Sequence, residues 1–355
     1  MWADDRLLTL LGMSLPILQA PMAGAGDHRL AVAVAEAGGL GALPCAMLTP
    51  DRIAAEVAAF RAQSDKPLNL NFFCHAAPDP ATAGLAAWQA RLAPYYGELG
   101  LDPATPAPLS NRAPFDATLC ALVEDLRPEV VSFHFGLPAP DLLDRVKATG
   151  ARVLSSATTV AEAVWLDSRG CDAIIAQGAE AGGHRGMFLT GDVATQIGTL
   201  SLVPQIVDAV RCPVIAAGGI ADGRGIAAAF MLGAAAVQIG TAYLFCPEAT
   251  ISTPHRQALA EGHARETALT NVFTGRPARG MVNRLMRDQG FMSDAALAFP
   301  LAGGAVAPLR AATEPQGSGD FMPLWSGQSA GLCRAATAAD LTRRLAADAK
   351  AVLAR

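Results

Sequence analysis

A single histidine lies in a glycine-rich segment that follows directly on a short apolar run. Residues 176–186 read Ala-Gln-Gly-Ala-Glu-Ala-Gly-Gly-His-Arg-Gly, and the run before them is typical of a buried parallel strand. Glycines let a ligand approach the backbone closely, and an imidazole titrates near neutral pH. We therefore predict that His184 transfers a proton or binds substrate. The alternative is a histidine that is merely solvated on a loop.

Two further glycine positions indicate a phosphate group. Gly218-Gly219 and Gly240-Thr241 each follow a short β-rich run, and their backbone N–H groups are free of obstruction by side chains. The pair predicts a phosphorylated cofactor, although each glycine taken singly is explained as well by a tight turn. Gly24-Ala25-Gly26 lacks the third glycine of a dinucleotide fingerprint and does not indicate a Rossmann site.

The remaining polar residues at the predicted strand ends are mostly amides and imidazoles. These strand ends have no acidic metal ligands, no paired carboxylates and no Gly-x-Ser-x-Gly nucleophile. They have instead the amides Asn71 and Gln177. Amides can hydrogen-bond both edges of a planar heterocycle, so these positions favour a flavin over a sugar or a peptide. We predict no metal site.

Eight segments share one layout, a short β-rich run followed by a turn and a helical stretch. Such units without hairpin turns favour parallel strands with right-handed crossovers, and eight of them close a TIM (β/α)8 barrel. An open doubly wound sheet is the alternative. In such a barrel the active site lies at the carboxyl ends of the strands. The predicted strands are Pro16–Met22, Leu40–Ala46, Leu68–Phe73, Val130–Phe135, Arg152–Ser156, Ala173–Gln177, Pro213–Ala217 and Ala235–Thr241.

Two regions exceed the bare barrel. Residues 74–114 are rich in Pro and Ala and are interpreted as an insertion after the third strand. We predict that residues 1–250 form the cofactor-binding barrel with this insertion. Residues 251–355 are predicted to be a C-terminal extension that forms a lid or small second domain, completes the substrate pocket and packs its last helix on the barrel.

Composition narrows the function classes. Of 355 residues 52% are hydrophobic and only 17% are charged, which suits a large buried core. The net charge of −5 and the scattered basic residues argue against a nucleic-acid partner. The seven cysteines are dispersed without metal-ligand spacing, which favours reduced thiols in a cytoplasmic protein. The apolar stretch Ile226–Cys246 is interrupted by glycines and is interpreted as soluble core, not a membrane span.

Taken in order, eight motifs resemble those of the FMN-dependent nitronate monooxygenases, formerly called 2-nitropropane dioxygenases. The resemblance covers most of the chain. Its motifs are Gln19–Gly24, Asn69–Phe73, Ser132–Gly136, Ala176–Gly186, Ala216–Gly225, Gln238–Thr241, Thr274–Gly280 and Leu324–Gln328.

The resemblance implies a reaction and a set of site residues. A nitronate, or a nitroalkane deprotonated by His184, would be oxidised with O₂ to a carbonyl compound and nitrite, a nitroalkane detoxification. His134 would face the substrate, its alternative role being packing on the rim. The assembly is left open between a monomer and a homodimer. The resemblance and the glycine positions described above together predict the FMN-binding residues. These are Ala20, Pro21, Met22, Asn71, Gln177, Gly182, Gly183, Gly218, Gly219, Gln238, Ile239, Gly240 and Thr241.

The C-terminal region departs from the best-studied bacterial members. They place aromatic and lysine side chains at the pocket, whereas this chain has no lysine between Arg152 and Asp348. Phe299 and Phe321 are the candidate aromatic substitutes. Four arginines of this region are interpreted as a solvated or ion-paired face, the alternative being a site for the substrate anion. They are Arg276, Arg279, Arg284 and Arg287.

Three other functions remain open from the sequence. Flavin-dependent enoyl-acyl-carrier reductases and NADH:quinone reductases share the Gly-Gly-Ile and Gln-Ile-Gly-Thr elements and would require NAD(P)H. A non-catalytic FMN-binding barrel and a flavin-free phosphate enzyme are the other two. Residues 132–136 and the segment around Trp325 favour the monooxygenase.

Overall fold

Eight parallel strands form the central sheet of this protein. The structure is a computed structural model that describes residues 2, 4–76, 84–102 and 112–355. Within these residues a second, antiparallel sheet contains three short strands in the order β10-β11-β7. The strands are β1 (Ile17–Gln19), β2 (Gly41–Pro44), β3 (Leu68–Phe73), β4 (Val130–His134), β5 (Arg152–Ala157), β6 (Ala173–Gln177), β7 (Gly183–His184), β8 (Val214–Ala217), β9 (Ala236–Ile239), β10 (Thr267–Thr270) and β11 (Ala278–Met281).

The central sheet closes on itself. Its order is β1-β9-β8-β6-β5-β4-β3-β2, and the two outer strands meet at a parallel bridge between Leu18 and Leu40. The fully buried Gln19 side chain continues this seam: its Nε2 donates to Ala42 O at 3.1 Å, and its Oε1 accepts from Ala42 N at 3.2 Å. A side-chain amide thus takes the place of a missing ladder pair. The predicted TIM barrel is confirmed, and the doubly wound sheet is excluded.

Helices separate the barrel strands and begin where the sequence offers caps. The Asp27 side chain accepts from Arg29 N, and Thr49 Oγ1 accepts from Arg52 N, with Pro50 following as the first helical residue. The helices are α1 (Arg6–Leu11), α2 (His28–Glu36), α3 (Pro50–Arg61), α4 (Leu85–Glu98), α5 (Ala117–Leu126), α6 (Pro140–Ala148), α7 (Val160–Asp167), α8 (Thr199–Ala209), α9 (Gly223–Met231), α10 (Thr241–Leu244), α11 (Thr253–Ala260), α12 (Arg284–Gln289), α13 (Ala302–Thr313) and α14 (Ala338–Leu353).

A second apolar core forms outside the barrel, between α4 and the C-terminal part of the chain. Trp88 Nε1 donates to Ala302 O at 3.2 Å, and the Tyr96 hydroxyl donates to Ala305 O at 2.8 Å. Both rings are buried with α13 and the α12 residues Leu285 and Met286 in one cluster. The described part of the predicted insertion therefore packs on the C-terminal extension. Residues 77–83 and 103–111 of that insertion lie outside the described residues.

The last helix, α14, lies against α2 and α9 of the barrel. The buried Tyr243 hydroxyl and Thr342 Oγ1 join this helix to the segment after β9 at 2.8 Å. The apolar stretch Ile226–Cys246 is divided among α9, β9 and α10. Among the described helices, none combines the length and apolar character needed to cross a bilayer.

Candidate active site

One cavity opens at the carboxyl ends of the barrel strands and brings together nearly all of the predicted site residues. Side chains or backbone from six barrel strands and their loops contribute, although these residues are as much as 221 positions apart, from Ala20 to Thr241. The predicted residues that line it are Ala20, Pro21, Met22, Asn71, His134, Gln177, Gly182, Gly183, His184, Gly218, Gly219, Gln238, Gly240 and Thr241.

Ile239 is the predicted cofactor residue whose side chain does not reach this cavity. Successive side chains of a strand point to opposite faces, and Gln238 on β9 lines the cavity. Ile239 is accordingly buried in the main apolar core between sheet and helices. Its side chain therefore faces away from the cavity, and contact of its backbone with the cofactor stays a prediction.

At one end of the cavity, backbone groups dominate. Gly218 has φ +106°, and a Cβ there would lie 2.9 Å from Ala181 N, so this position requires glycine. Gly219 O accepts from Ser329 Oγ at 2.7 Å, and Thr241 Oγ1 accepts from Gly327 N at 2.9 Å. The C-terminal segment therefore lies across both glycine loops, and these loops form the predicted phosphate end.

The amide side chains have different hydrogen-bond partners. Gln177 is engaged at both ends, with Nε2 donating to His184 O at 2.9 Å and Oε1 accepting from Gly186 N at 2.8 Å. Asn71 Nδ2 donates to Ser132 Oγ at 2.9 Å. Gln238 Oε1 is buried and has no hydrogen-bond partner among the described residues. Gln177 therefore shapes the histidine loop, and Gln238 offers a free acceptor to a ligand.

His184 stands at the other end of the cavity. Its Nε2 and Thr274 Oγ1 are 3.0 Å apart, while its Nδ1 makes no hydrogen bond with the described residues. The ring centroid lies 5.4 Å from that of Phe299 and 5.6 Å from that of Trp325. Burial, together with the charge of Arg112, holds the pKa of His184 well below its usual range. The imidazole is therefore neutral at pH 7.

His134 uses both ring nitrogens within the protein. Its Nε2 donates to His184 O at 3.3 Å, which leaves Nδ1 to accept from Ser156 Oγ at 2.6 Å. Burial lowers the pKa of His134 to about 3, and the charge of Arg276 acts in the same direction. The geometry supports a neutral ring that holds the His184 loop, whereas the sequence resemblance gave this ring to the substrate.

Arg185, next to the histidine, is fully buried. Its guanidinium donates to Gln177 O at 2.6 Å, to Gly178 O at 2.7 Å and to Gln196 Oε1 at 2.8 Å. These bonds tie the loop back onto the end of β6. Sequence reasoning missed this role, because a charged residue among glycines is typical of an exposed loop.

The C-terminal region supplies one wall of the cavity. Phe299 packs on His184, whereas Phe321 packs on Tyr95 in the second core, so only the first of the two candidate aromatics lies at the site. The charged side chains among the described lining residues are Arg112 and Arg310, and no carboxylate is among them. Arg310 is ion-paired with Glu314, its Nε lying 2.8 Å from Oε2, so the described lining has basic side chains and no carboxylate, a feature that scattered arginines in the sequence do not indicate.

The four arginines predicted to form a solvated face divide into two pairs. Arg284 and Arg287 form exposed ion pairs with Glu98 and Glu266, as expected. Arg276 instead stacks over Phe135, with its Cζ 3.9 Å from the ring centroid, and contacts Met187 O. Arg279 is buried and donates to Ala179 O at 2.9 Å. For these last two the prediction was wrong, since both tie β11 and its approach to the histidine loop.

Known proteins are similar to this chain over nearly its whole length. The family model described as nitronate monooxygenase matches residues 4–348. A nitronate monooxygenase from Pseudomonas aeruginosa is 43% identical over 96% of this chain and 98% of its own length. The solved structure of a nitroalkane oxidase from Streptomyces ansochromogenes has a TM-score of 0.88 at 38% identity, covering 97% of this chain and 98% of that chain. FabK from Thermotoga maritima is more distant, with 27% identity, a TM-score of 0.74, and coverage of 98% and 97%.

Proposed function

The chain belongs to the nitronate monooxygenase family and is an oxidoreductase that oxidises nitronates; from its site geometry we propose that it does so with FMN and O₂, releasing a carbonyl compound and nitrite. One observation carries the proposal: a single cavity is lined both by the two glycine loops and by the His184 imidazole. The extension beyond residue 250 completes that cavity through His255, Arg310 and Trp325, which supports the proposed division of the chain.

The residues present fit FMN. Gly218, Gly219 and the Gly240-Thr241 step offer backbone groups to a phosphate, and Gly218 must be glycine because a Cβ there would collide with Ala181 N. The unpartnered Oε1 of Gln238 is an acceptor suited to an N–H or O–H of the flavin. When bound, the flavin would accept electrons from the nitronate and pass them to O₂.

The chain's own residues prepare the substrate. Because His184 is neutral at pH 7, it can take the α-proton of a neutral nitroalkane, whereas a nitronate needs no proton removal. Arg112 and Arg310 attract anionic substrates to the cavity. Phe73, Phe299 and Trp325 surround the imidazole with apolar rings, which exclude water from the reacting carbon.

Nitrite release tests this function. We expect the purified protein to be yellow, to release FMN on denaturation and to form nitrite from propionate 3-nitronate only when O₂ is present. NADH oxidation with a quinone is measured in parallel. Rapid NADH-dependent bleaching of the flavin without nitrite formation would instead support the NAD(P)H-dependent reductase that the sequence left open. A colourless purified protein would contradict the proposal that it binds FMN.

A further inference from the structure

Thr274 is the polar partner of the His184 ring. It lies between β10 and β11, is buried, and places its Oγ1 3.0 Å from His184 Nε2. In the sequence, Thr274 is the first residue of a Thr-Gly-Arg-Pro segment, and the sequence alone gives it no separate role. The contact joins the C-terminal extension to the barrel loop that carries the imidazole.

The direction of this hydrogen bond follows from the available hydrogens. Thr274 Oγ1 also lies 3.4 Å from Arg276 O, a carbonyl that can only accept and that has no other donor among the described residues. A hydroxyl has one hydrogen. When that hydrogen points to Arg276 O, Oγ1 must accept from Nε2–H of His184. A neutral imidazole protonated on Nε2 carries its lone pair on Nδ1.

The loop and the ring are both held in place. His184 O accepts from Gln177 Nε2 at 2.9 Å and from His134 Nε2 at 3.3 Å, so its peptide is fixed from two sides. The ring itself packs against Phe73, Phe135, Phe299 and Trp325. These neighbours hold the plane of the ring, and Nδ1 makes no hydrogen bond with the described residues, while His184 lines the cavity.

We propose that Thr274 is a positioning residue that keeps the ring hydrogen of His184 on Nε2 and thereby makes Nδ1 the atom that accepts the substrate proton. The inference rests on the proposed role of His184 as the base. In the step, the α-carbon–hydrogen bond of the nitroalkane breaks and its electron pair moves into the nitro group, forming the nitronate. The proton forms a bond to Nδ1, and the resulting imidazolium keeps its Nε2–H on Thr274.

Nitrogen NMR of the holoenzyme labelled with ¹⁵N-histidine reads the tautomer directly. The chain has six histidines, and the His184 signals are assigned by their loss in His184→Asn. We expect an Nε2-protonated ring in the parent protein and in Thr274→Ser, and a mixture of tautomers in Thr274→Val. An Nδ1-protonated parent ring, or an unchanged tautomer in Thr274→Val, overturns the proposal. This readout does not depend on turnover.

Kinetics test the consequence for the reaction. Because loss of a whole base costs ~10²–10⁴-fold, we expect Thr274→Val to lower kcat/KM for neutral nitroethane about 10-fold and to change that for ethyl nitronate less than about 2-fold. Thr274→Ser restores the rate. Thr313→Val is the matched control, since Thr313 is also buried in the extension but bonds only within α13. Equal losses on both substrates would reduce Thr274 to a structural role.

The double variant separates this proposal from the base assignment. If Thr274 acts through His184, then Thr274→Val adds no further loss of nitroethane turnover in a His184→Asn background. If His184→Asn alone spares nitroethane, the base assignment fails, whatever tautomer NMR reports. An additive loss in the double variant contradicts the positioning role while leaving His184 as the base.

Discussion

The two ends of the cavity are built in different ways. One part, called the phosphate end after the group proposed to bind there, consists of backbone at residues 218–219 and 240–241, contributed by neighbouring barrel strands. The imidazole end consists of side chains from the β4, β5 and β6 strands and from the C-terminal extension, joined by bonds such as that between His184 and Thr274. The first end follows from local chain geometry, whereas the second depends on contacts between distant segments. The two should therefore respond differently to mutation and to pH.

The largest expected effect lies at the imidazole end. His184→Asn should lower turnover of neutral nitroethane by ~10²–10⁴-fold and spare ethyl nitronate, because only the first substrate requires a base. The ratio of the two kcat/KM values is the measurement. The same substitution at His263, which is exposed, should leave both values unchanged. If His184→Asn lowered both kcat/KM values equally, His184 would not be the base.

The next effect concerns the phosphate end. Gly218→Ala should weaken flavin binding by about 1–3 kcal/mol, or roughly 5- to 150-fold, because alanine is strained at φ +106° and its Cβ would meet Ala181 N. Fluorescence titration of the apoprotein with FMN gives the affinity. Gly150→Ala is the control. Gly150 also has a positive φ, +91°, but it has open space around it and lies just before the amino end of β5, away from the cavity. This substitution should lower stability without changing the affinity for FMN.

Acid should loosen the imidazole end first. Burial lowers the pKa of His134 to about 3 and the pKa values of His75 and His255 to about 4, below the ordinary value of 6.5. The unfolded chain therefore binds more protons between pH 6.5 and these values, and stability falls as pH decreases. Each of these rings removes about 1.4 kcal/mol per pH unit in that window.

Hydrogen exchange checks this acid response. At pH 5, after correction for intrinsic exchange rates, we expect residues 183–188 and 271–281 to lose protection relative to pH 7.5. Residues 214–225, at the phosphate end, should retain theirs. Uniform loss across both groups would mean that the molecule unfolds as one unit, with no difference between the two ends.

The smallest effect is expected outside both ends. Arg287→Ala removes an exposed ion pair with Glu266. The free energy of unfolding of the protein should therefore change by less than about 0.5 kcal/mol. Denaturant titration gives the change. Nitronate turnover should also be unaffected. A larger loss would indicate that the surface of the extension contributes to the architecture of the imidazole end.

Local patterns explain why the barrel and the position of its glycine loops were predictable. Each central strand is a short run of buried residues bounded by glycine or a capping residue, as at Asp27 and Thr49. The glycine loops follow these strands directly. The strand boundaries were less accurate: Pro16–Met22 was predicted where β1 covers only Ile17–Gln19, because pairing with neighbours ends a strand earlier than its composition does.

Contacts across long sequence separations explain the rest. The bond between Tyr96 and Ala305, and that between His184 and Thr274, join residues 209 and 90 positions apart. No spacing in one sequence indicates such a pair. The antiparallel sheet of β7, β10 and β11 escaped prediction for the same reason, since β7 contains only Gly183 and His184. Arg185 and Arg276 look like surface residues until their carbonyl partners are known.

The second apolar core has a consequence for how such an enzyme can diverge. Trp88 and Tyr96 on α4 are covered by α13, and neither segment could bury its apolar face without the other. A substitution that reshapes one apolar face is therefore expected to need a matching change in the other, so the two segments form one unit for redesign, separate from the barrel strands.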